Sequence, residues 1–199
     1  MSKSPRQKLR IAVIAALVIS VGLAAWAWLQ RPVYSGLPVL KLGGEFSLDN
    51  ANGQPFALQD SSGKVRLLSF GYTHCPDICP MTLARYRAVL DALGDDGAKL
   101  QTIMISVDPA RDTPEILHKY VSYFSPQIVG LTGTPEAIAA VAKQYGAYVS
   151  VNGNDVSHSD YLYLIDRDGR ARRLYDQQAG VDAIVKEAKA LMQEPREGV

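Results

Sequence analysis

The sequence predicts an α/β domain with a largely parallel sheet, preceded by one transmembrane helix, and three observations carry that expectation. Segments of strand type and helix type alternate through the middle of the chain, as a parallel sheet with crossover helices requires. A hairpin signal at Asp168-Gly169 closes the alternation and adds antiparallel strands at one side. An uncharged apolar run over 11–29 precedes all of it.

That run would be about 28 Å long as a helix, close to a hydrocarbon core of roughly 30 Å. Residues 1–10 carry Lys3, Arg6, Lys8 and Arg10 and no acid, so this basic end is expected to stay in the cytoplasm. Both tryptophans, Trp26 and Trp28, stand at the far end, where amphipathic rings favour the interface. Ala25-Trp26-Ala27 also fits a signal-peptide cleavage site, though the run is longer than such a segment needs. On either reading the rest of the chain is exported. With the apolar run so near Met1 there is no room for a mitochondrial transit peptide, so a bacterial inner membrane with the domain in the periplasm is expected. A net charge of +1 over 199 residues gives no electrostatic case for a nucleic-acid partner. Residues 30–43 are expected as a linker and 44–195 as the domain.

The domain opens with segments 45–48 and 56–58 around Asn52-Gly53, a hairpin signal. VRLLSF, over 65–70, is a buried-strand run. Residues 80–93 space Leu83, Val89, Leu90 and Leu93 helically and stop at Gly94. Residues 100–107 are strand again. Thr113-Pro114-Glu115 and Thr134-Pro135-Glu136 repeat one helix-start signal: the threonine caps, proline takes the first position, and glutamate meets the positive first turn. They open helices to about Phe124 and Tyr145. A strand over 147–151 ends in the turn-rich Asn152-Gly153-Asn154-Asp155. Strands over 161–165 and 171–175 flank Asp168-Gly169, and 181–193 forms the last helix. This order is the thioredoxin-like plan with an N-terminal β-hairpin and an inserted helix.

Cys75 and Cys79 fall between the strand ending near Phe70 and the helix starting at Pro80, where open α/β sheets bind ligands. The helix start also favours thiolate over thiol. Thiol–disulfide enzymes of this plan use Cys-x-x-Cys, whereas Cys75-Pro76-Asp77-Ile78-Cys79 has three intervening residues. At i and i+4 of a helix, Cβ atoms stand about 5–6 Å apart, wider than the roughly 3.5–4.5 Å of a relaxed disulfide. The spacing favours a shared metal ion without excluding a disulfide. A permanent structural bridge closing so short a loop would remove little chain entropy.

Three histidines could complete a site. His118 reads as a surface residue of a helix, and His74 adjoins Cys75, so its side chain is expected to point away from the cysteines. His158 stands in the segment 155–160 before a strand, where the thioredoxin plan places a cis-proline against the cysteines; there is no proline here. Two thiolates and one imidazole make a soft three-donor set that favours copper, whereas a structural zinc site wants a fourth ligand. Met81 and Met104 read as core residues inside a helix and a strand.

Four ordered motifs resemble the SCO/SenC family: Phe70-Gly71-Tyr72-Thr73-His74-Cys75-Pro76-Asp77-Ile78-Cys79-Pro80, the run 107–115, Gly130-Leu131-Thr132-Gly133 and Ser157-His158-Ser159. The likeness covers about 44–190 and includes an N-terminal anchor. It implies a copper chaperone for the assembly of cytochrome c oxidase, holding one copper ion per chain as Cu(I), and also as Cu(II). Cys75, Cys79 and His158 then correspond to the metal ligands, and the cysteines to a redox-active disulfide pair. Asp108 corresponds to an acidic residue beside the site, with a turn role as its plain alternative. Some members carry an acid just before the histidine; Ser157 stands there in this chain.

The expected partners are subunit II of cytochrome c oxidase with its binuclear copper site, a periplasmic copper donor and a thioredoxin-like reductant. On that reading the protein is a carrier and not an enzyme. The alternative is a membrane-anchored thiol–disulfide oxidoreductase that reduces cysteines of the oxidase subunit. Peroxiredoxin chemistry fits poorly, because Thr73 lies two residues before Cys75 instead of three.

Overall fold

The structure is a computed structural model and describes residues 5–29, 34–153 and 155–196. It divides into two units, Met1–Val33 and Tyr34–Val199. In the first, Pro5–Leu29 forms helix α1, whose apolar side chains, from Val13 to Trp28, are exposed. Side chains 8–12 and 29 lie outside the description, so the expected span over 11–29 is described only across 13–28. Among the described residues no helix is long and apolar enough to cross a membrane.

The second unit begins with a strap. Residues 34–43, expected as linker, lie against the domain: Leu40 donates its N–H to the Ala171 carbonyl and Gly43 to that of Gln144, each at 2.8 Å. Ser35 and Arg172 both bind Glu194, and Arg172 also bonds the Leu37 carbonyl and Asp166, so a buried ion-pair network ties strap and C-terminus together. Ser47–Asp49 (β1) and Pro55–Ala57 (β2) then make the expected hairpin, its turn held by Asn50 Oδ1 accepting from the Asn52 and Gln54 amides.

Val65–Gly71 (β3) is buried at all seven positions and is the axis of the main sheet. It is followed by Ile78–Leu93 (α2), Leu100–Ser106 (β4), Pro114–Phe124 (α3), Ile128–Leu131 (β5) and Pro135–Gln144 (α4). Val149–Asn152 (β6) pairs antiparallel with Asp155–His158 (β7) as a ribbon of its own. Leu162–Ile165 (β8), Ala171–Tyr175 (β9) and Val181–Gln193 (α5) close the chain. The sheet order is β5-β4-β3-β8-β9, parallel among the first three and antiparallel at β8 and β9.

Strand alternation sorts the core into two layers. Val65, Leu67, Met104, Leu162 and Leu164 face α2, α3 and α5, while Leu68, Phe70, Ile103, Ile105, Tyr163 and Ile165 face α4 and the N-terminal hairpin. Thr113 and Thr134 cap α3 and α4 as expected, accepting from the Ile116 and Ala137 amides. Gly94 ends α2 at a φ of 56°, a conformation that side chains other than glycine rarely adopt.

Three elements depart from expectation. Helix α2 starts at Ile78, because Pro80 falls in the first turn, where the missing N–H has no intrahelical partner to lose. Cys79 is therefore helical. His158 belongs to β7 and not to a loop, because Asp155–His158 pairs antiparallel with β6. Short β5 carries no periodic signal of its own.

Candidate functional site

The site forms where β3 ends. The Cys75 sulfur lies in front of α2, accepting the Cys79 N–H at 3.4 Å, so it occupies the place of a helix cap. Burial works against its ionisation, but the N–H groups of Asp77, Cys79 and Ile78 and the Cys79 thiol outweigh it, and the Cys75 pKa falls below the ordinary thiol value. Cys79 points inward and is 3% exposed. Burial pushes its pKa strongly upward, only partly relieved by the Tyr72 N–H. Both cysteines are free. The pair is thus asymmetric, with one accessible nucleophilic sulfur and one buried protonated sulfur.

Gly71 makes room for the buried one. A Cβ added there would stand 3.1 Å from Cys79 Sγ and 2.7 Å from Met104 Cε. The last residue of β3 is glycine because the Met104 methyl and the Cys79 sulfur occupy the space a side chain would need.

His158 arrives from the ribbon. Its Nε2 lies 3.7 Å from Cys79 Sγ across 79 residues of sequence. Its Nδ1 lies 2.8 Å from the Ser159 carbonyl. A carbonyl only accepts, so Nδ1 carries the proton and Nε2 turns its lone pair toward the sulfur. Tyr72 meets the ring edge-on at 5.9 Å and donates its hydroxyl to the Val156 carbonyl at 3.4 Å. Tyr72, Cys75, Ile78, Val156, Ser157, His158 and Asp160 line a pocket of about 270 Å³ at the mouth.

Cys79 and His158 stand at a separation that suits a soft metal ion, whereas among the described residues Cys75 does not join them in a group of three donor atoms within 4.8 Å of one another. Bonds of ~2.3 Å to sulfur and ~2.0 Å to nitrogen, spread at trigonal angles, separate the two donors by about 3.7 Å. The same separation suits the hydrogen bond from a neutral Cys79 thiol to Nε2, so the proton and a metal ion compete for one geometry. The second-sphere bond from Nδ1 to a carbonyl is the usual way a ligating imidazole is oriented.

The other sequence candidates sort cleanly. His74 is exposed and lies beside Thr73 Oγ1 at 3.1 Å and Asp112 at 3.8 Å, away from the sulfurs. His118 is exposed on α3 beside Ser122. Met104 is buried, as expected, but Met81 is 50% exposed, because it follows Cys79 by two residues on a helix whose Cys79 face is the buried one. Asp108 is buried and serves a turn: its N–H donates to Ser106 Oγ, its carboxylate pairs with Arg111, and its carbonyl receives the Arg111 and Asp112 amides. The acid at the pocket mouth is Asp160, two residues after His158.

Asp112 escaped the sequence reading. It is fully buried and accepts from the Thr73 amide at 2.9 Å, the Thr73 hydroxyl at 2.6 Å and Ser106 Oγ at 2.6 Å. It therefore locks the cysteine loop to the end of β4. His74, Asp108 and Asp112 bring donor atoms within 4.8 Å of one another, but both acids are already engaged in these bonds. The one signal for Asp112 was its place directly before the helix start Thr113-Pro114.

A thioredoxin-like domain with two thiols and a facing imidazole at the end of its central strand is the class that fold and site define. The SCO1/SenC family model matches residues 37–193, and the chain belongs to that family. Protein SCO2 of Saccharomyces cerevisiae mitochondria is 39% identical over 90% of this chain, which spans 66% of that relative's length. The structure of Bradyrhizobium japonicum ScoI with copper bound is 39% identical, covering 75% of this chain and 99% of its own, with a TM-score of 0.69. BsSco, a member of the Sco family of cytochrome c oxidase assembly proteins in which a disulfide switch was identified, is 27% identical over 78% of this chain and 96% of its own, with a TM-score of 0.68.

Proposed function

We propose that this protein carries one copper ion on Cys75, Cys79 and His158 and hands it to the binuclear copper site of cytochrome c oxidase subunit II during assembly. The observation that carries the reading is the 3.7 Å approach of His158 Nε2 to Cys79 Sγ, with the ring already oriented. Copper is cargo here. Binding Cu(I) displaces the thiol protons, and the ion leaves as acceptor ligands replace the protein's own one at a time. A copper donor loads the reduced pair, and a thioredoxin-like reductant keeps it reduced in an oxidising compartment.

The location proposed is a bacterial inner membrane, with α1 as a single-pass anchor and the domain in the periplasm. It rests on the basic residues before position 11, the apolar run over 11–29 and the helix that contains it.

The asymmetry of the thiols favours a second reading, thiol–disulfide exchange. The Cys75 thiolate would attack a disulfide of the oxidase subunit, form a mixed disulfide and release one thiolate. Cys79, passing its proton to His158 Nε2, would then attack Cys75 and release the second. The pair ends oxidised by two electrons and needs the thioredoxin-like reductant to return.

The test is copper per chain in the reduced full-length protein, purified in detergent and reconstituted without oxygen, beside Cys75→Ser and His158→Ala. About one ion per chain, with less in both variants, is expected. A folded, reduced protein that retains no copper would sink the carrier and leave exchange as the function.

A further inference from the structure

The ribbon β6–β7 belongs to no larger sheet, yet it must hold His158 against a helix of the domain body. Besides Cys79, two side chains of that body hydrogen-bond the backbone of the ribbon or of the segment just after it. One is Tyr72, already described. The other is Gln177, in the turn between β9 and α5, whose Nε2 donates to the Asp160 carbonyl at 2.7 Å, two residues beyond His158.

Gln177 is itself seated on α2. Its Nε2 also lies 3.4 Å from Thr82 Oγ1, and its Oε1 accepts from Arg85 Nη2 at 3.3 Å. Arg85 Nη1 further donates to the Asp176 carbonyl at 3.2 Å, which holds the turn in place. Thr82 and Arg85 follow Cys79 at steps of three residues, so they lie near its stripe of the helix. The chemistry also fixes which way the amide faces. A carbonyl must receive the NH2 group and a guanidinium must meet the oxygen. Gln177 therefore uses both ends at once, one on the cysteine helix and one on the histidine segment.

We infer that Gln177 is a positioning residue for the metal site: a strut from α2 that sets the reach of His158 to Cys79 by holding the Asp160 carbonyl. This rests on the copper reading of His158 given above. The strut touches neither sulfur nor imidazole, and it acts through the backbone that follows the ring. Glutamate at this position would keep the shape and the Arg85 contact, and strengthen the latter, but would have no proton for the Asp160 carbonyl. Positioning and plain packing therefore predict different behaviour for one substitution.

The experiment measures Cu(I) affinity of the full chain in detergent by competition with bathocuproine disulfonate, for Gln177→Ala, Gln177→Glu, His158→Ala and the double variant Gln177→Ala/His158→Ala. Both single changes at 177 should weaken binding about tenfold, at the lower end of what outer-sphere partners contribute. In the His158→Ala background the change at 177 should do nothing more, because the strut has lost the ligand it serves. Wild-type affinity in Gln177→Glu, or the same loss in both backgrounds, overturns the inference. A metal-free readout separates this from the copper reading: imidazole nitrogen NMR should show one His158 ring state with Nδ1 protonated, and broadened or doubled signals in Gln177→Glu. If His158→Ala binds copper like wild type, the ligand assignment falls. The spectra of the metal-free protein then still decide whether Gln177 holds the ring, and unchanged His158 signals in Gln177→Glu reject the strut.

Discussion

The two halves of the site are held in different ways. The cysteines sit where a strand buried at every position meets a helix, and Asp112 bolts their loop to the neighbouring strand with three hydrogen bonds. His158 sits at the end of a two-stranded ribbon outside the five-stranded sheet, seated on the body by Val156 and Val149 and by single side-chain bonds from Tyr72 and Gln177. A site for permanent metal would gain from rigidity on every side. On the proposed carrier reading, one firmly held half and one held by fewer bonds would suit an ion that has to leave, and the histidine is on the latter. Substitutions on the two sides should accordingly differ in kind.

The largest effect expected is at Cys79. Cys79→Ser should cost copper affinity more than the roughly 10–100-fold of an outer-sphere change, since it removes a thiolate ligand outright. Cu(I) competition measures it, and near-normal retention would break the idea that the firm half holds the ion. Asp112→Ala comes next, and it should be felt in folding. Leaving the Thr73 amide, the Thr73 hydroxyl and the Ser106 hydroxyl without their acceptor should cost about 3 kcal/mol, or a Tm lower by roughly 6–12 °C. His158→Ala should do the reverse: copper affinity falls, while the Tm of the metal-free protein moves by no more than a couple of degrees, about 0.5 kcal/mol. A large loss of stability in that variant would mean that the imidazole itself, and not only Val156 beside it, is part of the core.

The smallest effect is a difference in protonation within the firm half. Thiolate is the nucleophile, so the lowered pKa of Cys75 should let iodoacetamide label it at pH values where a free cysteine has become slow. Cys79, pushed the other way by burial, should stay unlabelled near neutrality in the folded, metal-free protein. Mass spectrometry of the labelled protein across pH reads this directly, and equal labelling of both sulfurs would remove the asymmetry on which the exchange reading depends.

The firm half was the more legible in sequence. Threonine caps, the β3 run and the Gly94 stop are local signals, and local physics placed them correctly. The cysteine pair announced itself by spacing, and His158 by the place of a missing proline. Residues that act across the fold did not announce themselves. Asp112, Tyr72 and Gln177 work through partners 39, 84 and 17 positions away, and no periodicity records such pairings. Ribbon β7 was hidden for a related reason: DVSH is short and polar, and only pairing with β6 makes it a strand. The role of Gly71 was invisible as well, since what requires glycine there is the Met104 methyl together with the Cys79 sulfur.

The most direct test of the account is X-ray absorption at the copper edge of the Cu(I)-loaded full-length protein, compared with its His158→Ala variant. Two sulfur scatterers at about 2.3 Å and one nitrogen at ~2.0 Å in the wild type, with the nitrogen lost in the variant, are the predicted result. A nitrogen shell that persists unchanged without His158, or a wild-type site with no nitrogen at all, would contradict it.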